Sequence, residues 1–294
     1  MKQQVSVQTV DQLLEQAHFR DSYKALPQGT TFKDLSTIII LPIPGPQTDK
    51  KFINCKKCKT KNEYENWSFQ GLHPIFVESY KRLVKPMNVP ILEMMPSGYE
   101  VGDAYNKSIE MILANPALNK FKFILTLEYD NIIPFIPNTQ GPLMMLYETM
   151  EKGFDVVGGL YWTKGNPSMP LIYGDPKENR DNPAGMFKVI FGASGPAPKD
   201  WKEGQIVTGS WRPGDIVECN GSGMGFTLFK LDMFKDKRIK KPWFQTINDH
   251  SDKGPRLYTQ DLNLAEKVRK LGYRWSVDTR CRLGHLSFAD GVIY

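Results

Sequence analysis

Residues Thr37-Ile38-Ile39-Ile40-Leu41-Pro42 form an unbroken apolar, β-branched run that ends at a proline. A strand with one face in water would alternate apolar and polar residues. A continuous run therefore predicts a strand covered on both faces, as in a parallel sheet sandwiched by helices. Further short runs repeat the pattern at Pro90–Met94, Phe121–Leu127, Phe154–Leu160, Gly223–Lys230 and Tyr273–Thr279. Helical spacing fills several of the intervals. From Val101 the positions Ala104, Tyr105, Ile109, Ile112 and Leu113 recur on one helical face. Pro142 suits the first position of a helix that Gly153 closes, and Gly272 caps a helix over Leu262–Leu271. Strands separated by helices make βαβ units, so the expected class is α/β, with a Rossmann-like, mostly parallel sheet flanked by helices.

The remaining segments are less regular. Val10, Leu13, Leu14 and Ala17 predict a helical lead-in within residues 1–34, ending at Leu26-Pro27-Gln28-Gly29. Residues 45–70 read as a basic inserted loop. Residues 165–215 are rich in Pro, Gly, Asn and Lys and predict a face of hairpins and loops, with one short strand at Met186–Phe191. A single domain over 35–294 accommodates all of this, because a chain of 294 residues buries a sizeable core without staples.

Composition excludes several classes. Hydrophobic residues make up 40% and charged residues 24%, the balance of an ordinary globular enzyme. No apolar run approaches the roughly 18 residues that span a bilayer. The N-terminus lacks the apolar middle of a secretory signal. Four cysteines do not make a disulfide framework, so a reducing, cytoplasmic setting is expected. Cys55-Lys56-Lys57-Cys58 has the short arm of a zinc site but no second pair, which favours free thiols. Net charge is only +6, yet it is concentrated: six lysines lie between Lys50 and Lys61, and four lysines with an arginine between Lys235 and Lys241. Such clusters are either solvated loops or contacts for a polyanion.

Chemistry concentrates at one strand end, Thr126-Leu127-Glu128-Tyr129-Asp130. Ligands of open α/β sheets bind beyond the carboxyl ends of strands. Two carboxylates at alternate positions there can hold a hard divalent cation, which can in turn hold a diphosphate. Taken alone the segment is a weak signal, since acidic residues after a strand are commonly just turn formers. It is joined, however, by paired glycines and aromatics at Gly158-Gly159-Leu160-Tyr161-Trp162, and by a glycine-rich approach to a strand at Asn220-Gly221-Ser222-Gly223-Met224-Gly225. Gln260-Asp261 opens a helix and Gly284-His285 follows the last strand.

In this order the segments resemble the GT-A glycosyltransferases, most closely the family 2-like group, from about Ile38 to Ser287. The matching elements are Ile38–Pro42, Ala104-Tyr105-Asn106, Glu128-Tyr129-Asp130, Gly221–Phe226, Gln260-Asp261 and Gly284-His285. Glu128, Gln260 and Tyr105 stand where that group commonly has Asp, an acid and Arg. The compact chain is also similar to virus-encoded DNA-modifying glycosyltransferases, a likeness no single motif carries. The resemblance implies a GT-A fold and transfer of a sugar from a nucleoside diphosphate sugar, a UDP-sugar by preference, with Mn²⁺ or Mg²⁺. It implies that Asp130 and His285 bind the metal and that Glu128 lies near the metal or the ribose. Asp261 would be the general base of an inverting transfer, and Pro42, Glu93, Asn106, Gly159, Trp162 and Gly223 would line the donor site.

Three acceptors suit such an enzyme: a lipid-linked glycan, a protein, or hydroxymethylated bases in DNA. The lysine clusters favour DNA, as do Phe52, Tyr64, Trp67 and Phe69 beside the first of them, since aromatics among lysines can stack on bases. Two other readings remain. One is a catalytically degenerate protein on the same fold that binds nucleic acid or sugar nucleotides. The other is a nucleotidyltransferase, for which Pro42-Ile43-Pro44-Gly45 makes a poor phosphate loop.

Overall fold

The computed structural model describes residues 33–43, 72–87, 89–134, 141–178, 186–251 and 254–294, with backbone only over 248–258. The lead-in expected over 1–34 (all but its last two residues), the basic loop 45–70 with Cys55, Cys58 and Lys50–Lys61, and Pro44 lie outside these residues. No helix among the described residues is long and apolar enough to cross a membrane.

Eight strands form the central sheet. In chain order they are β1 (Thr37–Ile40), β2 (Ile91–Met94), β3 (Phe123–Leu127), β5 (Val156–Leu160), β7 (Ile206–Thr208), β8 (Ile216–Cys219), β10 (Phe226–Lys230) and β13 (Trp275–Arg282). Their spatial order is β2-β1-β3-β10-β5-β13-β8-β7. Strand β1 runs parallel to both neighbours, and β13 runs parallel to β5. Strand β10 enters antiparallel between β3 and β5, and β8 is antiparallel to β13. Five strands thus point one way and three the other, a mostly parallel mixed sheet. Helical spacing in the sequence predicts the crossovers but carries no signal for the reversed strand, because Phe226–Lys230 is as apolar as its parallel neighbours.

Helices cover both faces. On one lie α2 (Val101–Ala114), the short α4 (Leu231–Lys235) and α5 (Gln260–Lys270); on the other lie α1 (Pro74–Lys81) and α3 (Pro142–Met150). The alternation of strand side chains explains this division. Ile38 and Ile40 pack with Tyr105, Ile109, Leu264 and Val268 on one side. Ile39 and Leu41 pack with Phe76, Leu143 and Leu146 on the other. All four β1 residues are fully buried, as the unbroken run at 37–42 requires. Local chemistry sets the helix ends. Glu100 caps α2 by accepting from the N–H groups of Gly102 and Asp103. Pro142 follows Gly141, whose φ of 87° only a glycine adopts readily.

Differences from expectation are mostly of extent. Strand β13 begins at Trp275 and runs on to Arg282, and α5 begins two residues early, at Gln260. Met186–Phe191 forms no strand and holds only a single bridge, Val189 to Tyr173. Helix α1 gave no clear sequence signal: His73 caps it with Nδ1 and Pro74 opens it, but its apolar face is narrow. Three small pairings complete the sheets among the described residues, β4 (Asn131–Ile132) with β14 (Gly284–His285), β6 (Ile172–Tyr173) with β9 (Gly221–Ser222), and β11 (Ile247–Ser251) with β12 (Gly254–Tyr258).

Candidate active site

The carboxyl end of β3 meets a turn built to hold two acids. Thr126, fully buried, donates its hydroxyl to the carbonyl of Met224 at 2.7 Å, fixing β3 against the glycine-rich approach to β10. Glu128 N–H then donates to the Gly225 carbonyl at 2.9 Å, and Asn131 N–H to the Glu128 carbonyl at 3.0 Å. Glu128, Tyr129 and Asp130 occupy the turn between these bonds. Beyond it, β4 pairs antiparallel with β14, placing His285 opposite Asn131, and Leu286 N–H donates to the Asp130 carbonyl at 2.7 Å. This small ladder is what brings His285 to Asp130. Gly225 has no side chain because a Cβ there would collide with the buried amide of Asn131, and that amide donates to Asp130 Oδ1 at 3.2 Å.

His285 is oriented from behind. Its Nδ1 lies 2.6 Å from the Trp162 carbonyl. A carbonyl only accepts, so Nδ1 carries the proton and Nε2 is the nitrogen turned to Asp130, 3.5 Å from Oδ2. The ring also packs edge-on against Tyr161, with centroids 5.3 Å apart. Two acceptors facing each other need a cation or a proton between them. In the structure the nearby positive charge is Lys164, whose Nζ bonds to the same Asp130 oxygen.

Asp261 completes an acidic group. It stands in the first turn of α5, where Oδ1 accepts the Leu262 N–H at 2.9 Å. Its field reaches Glu128, Tyr105, Tyr161 and Tyr173. Burial, the charge of Asp130 and that of Asp261, in that order, push Glu128 up to about 8, with Lys164 pulling the other way. Asp261 is also raised, by burial, with the Thr259 side chain and the Leu262 N–H opposing. Asp130 differs. Burial raises it, but the His285 imidazole and the Lys164 ammonium beside the carboxylate outweigh that and hold it below the usual carboxylate range. All three acids keep some contact with solvent despite dense surroundings, as groups lining a cleft do.

The other expected residues divide. Pro42 is buried at the same sheet end, two residues past the Ile40–Thr126 register pair. Trp162 contributes its carbonyl to His285. Gly223 admits the Tyr161 hydroxyl, which a Cβ would strike, and that hydroxyl accepts the Gly225 N–H at 2.8 Å. Gly159 serves packing, since a Cβ would strike Leu283. Asn106 engages the backbone of Phe244, donating to its carbonyl at 2.7 Å and accepting its N–H at 3.1 Å. Glu93 sits within β2, ion-paired with Lys85. Neither Asn106 nor Glu93 joins the acidic group.

Lys164 and Phe288 had no signal in the sequence beyond their nearness to Tyr161-Trp162 and His285. Phe288 is 43% exposed and stacks on Tyr129 at 5.4 Å, with Lys164 Nζ 5.9 Å from its ring. Tyr105, fully buried, has a hydroxyl with no hydrogen-bond partner, and its strongest charged neighbour is Glu128.

Among the described residues no three His, Cys, Asp or Glu side chains converge as a metal site. The Asp130 carboxylate and the His285 Nε2 would hold a divalent cation as a two-ligand site, a donor pair that suits Mn²⁺ at least as well as Mg²⁺. That fit requires Lys164 to leave the Asp130 carboxylate.

No family model and no curated protein matches the chain. Among solved structures, the crystal structure of A197 from STIV matches with a TM-score of 0.45 and 16% identity, covering 88% of this chain and 92% of that one.

Proposed function

We propose that the protein is a glycosyltransferase of GT-A type acting on a nucleoside diphosphate sugar, by preference a UDP-sugar. One observation carries this reading: three carboxylates (Glu128, Asp130 and Asp261) and an oriented imidazole (His285) meet at the carboxyl end of a mostly parallel sheet. Ligands of α/β sheets bind at that end.

Asp130 and His285 would hold Mn²⁺ or Mg²⁺. A bound cation supplies charge neutralisation of the leaving diphosphate. The chain's own groups do the rest. The Trp162 carbonyl keeps the His285 Nδ1 protonated and so presents Nε2 as a ligand. Lys164, once off Asp130, is a mobile cation for a phosphate oxygen. Asp261 accepts the proton of the acceptor hydroxyl, and its raised affinity for protons makes it the stronger base for that task. A base on the acceptor side favours inversion. Glu128, which holds its proton at neutral pH without a cation, can donate a hydrogen bond to a ribose hydroxyl. Phe288 offers an exposed apolar face beside Lys164 for the acceptor.

Hydroxymethylated DNA bases remain the proposed acceptor, supported by the Lys50–Lys61 cluster and its aromatics in the sequence. A second reading, a binding protein without turnover, is favoured by the Lys164 ammonium on Asp130 and by Gln260 in place of an acid. Screening nucleotide-sugars for thermal stabilisation with and without Mn²⁺, then assaying nucleotide release, separates the two. Stabilisation with release supports transfer, and stabilisation without release supports binding alone. Absence of both for every donor removes the proposal.

A further inference from the structure

A pocket of about 420 Å³ lies at the opposite end of the sheet from the acidic group. Its walls are Leu113 near the end of α2, Phe234 of α4, and Ile239 and Trp243 of the following loop. Lys235, Lys237, Lys240 and Lys241 ring it. Its place follows from the topology. Helix α4 starts where β10 ends, at Lys230, which pairs with Phe123, the first residue of β3. The acidic group lies past the other end of β3, roughly 16 Å away at about 3.3 Å per residue.

The charges around this pocket are not equivalent. Lys235 bonds to Asp232 and to the Asn119 carbonyl. Lys241 pairs with Glu110 and lies 4.6 Å over the Trp243 ring. Asp236, the one acid in the lining, accepts from Arg238 through both oxygens and from the Tyr273 hydroxyl, so its charge is already matched. Lys237 and Lys240 are exposed and have no ion pair among the described residues. Two unmatched ammonium groups therefore stand at the mouth of an apolar, partly aromatic cavity. Beside it the buried indole N–H of Trp243 has no acceptor, a donor the fold leaves unused.

We infer that this pocket binds a nucleoside phosphate, its base against the apolar walls and its phosphate on Lys237 and Lys240. Ammonium groups on flexible stems serve as point charges for phosphate. The volume lies in the range of small-ligand sites. Aromatic walls with lysines at the rim are the combination that holds single nucleotides of a strand without reading sequence. The ligand is either a free mononucleotide or one nucleotide of a single strand, and the chemistry of the contact is the same. The inference does not rest on glycosyl transfer at the acidic group.

Calorimetric titration of the full chain in chelator, with thymidine 5′-monophosphate, thymidine, inorganic phosphate and a short oligothymidylate, tests it. Binding by the monophosphate and the oligomer is expected, much stronger than by thymidine or phosphate alone. Equal affinity per site identifies the free nucleotide as sufficient; a large advantage for the oligomer identifies a strand. Lys237→Ala with Lys240→Ala should weaken binding about tenfold, about 1.4 kcal/mol, and reduce its salt dependence. Both lysines are exposed, so the variant folds. Leu113→Trp should block the cavity, and Asp130→Ala should leave binding intact. No binding by either nucleotide ligand, or binding unchanged in the lysine pair variant, or phosphate alone binding as well as the nucleotide, overturns the inference.

Discussion

Glu128 and Asp261 are both acids with raised proton affinity, and a residue-level test distinguishes their roles. Asp261→Asn keeps the size of the side chain and an oxygen for the Leu262 N–H, yet cannot take a proton at neutral pH. Donor binding should persist while transfer falls by roughly 10²–10⁴. Transfer near the wild-type rate would make Asp261 a structural cap and favour retention. For Glu128 the sign follows from its shift. The folded protein holds that proton up to about 8 and the unfolded chain releases it near 4.5. The bound proton therefore stabilises the fold fully below 4.5, and this contribution is lost as pH rises toward 8. In chelator, the melting temperature of the wild type should fall between pH 5 and 8 more steeply than that of Glu128→Gln. Added Mn²⁺ should flatten the wild-type curve and release a proton on binding. Parallel curves for the two proteins would show that Glu128 is ionised throughout. Nothing in the order of residues hints at this contrast, because a shift depends on burial and on Asp261, which is near only in the fold.

Elements decide whether these side chains meet, and the β4–β14 ladder is the critical one. It has only two residues a side, too short to announce itself as a strand, although Gly284-His285 was legible as a motif. The turn it closes depends on Gly225, since a Cβ there would enter the space of the Asn131 amide. Gly225→Ala should cost about 1–3 kcal/mol by overpacking and should lower donor affinity, as Asp130 moves with Asn131. Removing the obstruction in Gly225→Ala/Asn131→Ala should recover part of the stability, a coupling that a double-mutant cycle reads directly. Strict additivity would mean that the two residues do not touch. By contrast, β1, β3 and β5 are readable from their continuous runs, because strands buried on both faces carry apolar or small residues with no charge along their length. Strand β10 was readable as a strand but not in direction. Hydrophobicity records burial, and burial is the same for a parallel and an antiparallel neighbour. Asn106 stood in the right place along the chain for a donor contact, yet its amide is engaged by Phe244, a segment whose position the helix pattern could not supply.

The whole molecule has two chemically opposite ends on one sheet, acids at the carboxyl end of β3 and lysines at its start. The sequence showed both groups as local clusters, but only the order of strands separates them. It places Lys235–Lys241 away from the cleft, so this cluster cannot present a polymer to Asp261 by itself. Lys164 shows the same principle at closer range. It is a loop residue of no motif, and the fold makes it the counter-charge of Asp130. If that ammonium competes with a divalent cation, Lys164→Met should tighten Mn²⁺ binding to the free protein while weakening donor binding, because the phosphate loses a partner. Both affinities falling together would instead mean that Lys164 mainly supports the fold.

Hydrogen exchange reads the two ends at once, because a ligand that binds only the folded state slows opening where it binds. A nucleotide-sugar with Mn²⁺ should protect the backbone at 127–132, 222–226, 259–264 and 283–287, the four segments that carry or support Glu128, Asp130, Asp261 and His285. At concentrations that fill only the acidic site it should leave 113–119 and 234–243 unchanged. A mononucleotide in chelator should produce the reverse pattern. At a ligand concentration of about 100 times Kd the stabilisation is about 2.7 kcal/mol, roughly a hundredfold slowing wherever exchange requires global opening. Protection by the nucleotide-sugar centred on 234–243 would place the donor at the lysine end, and the acids at β3 would then need another role. Protection at both ends by one ligand would mean either that it occupies both sites, which a two-site titration reads directly, or that binding at one end slows opening at the other.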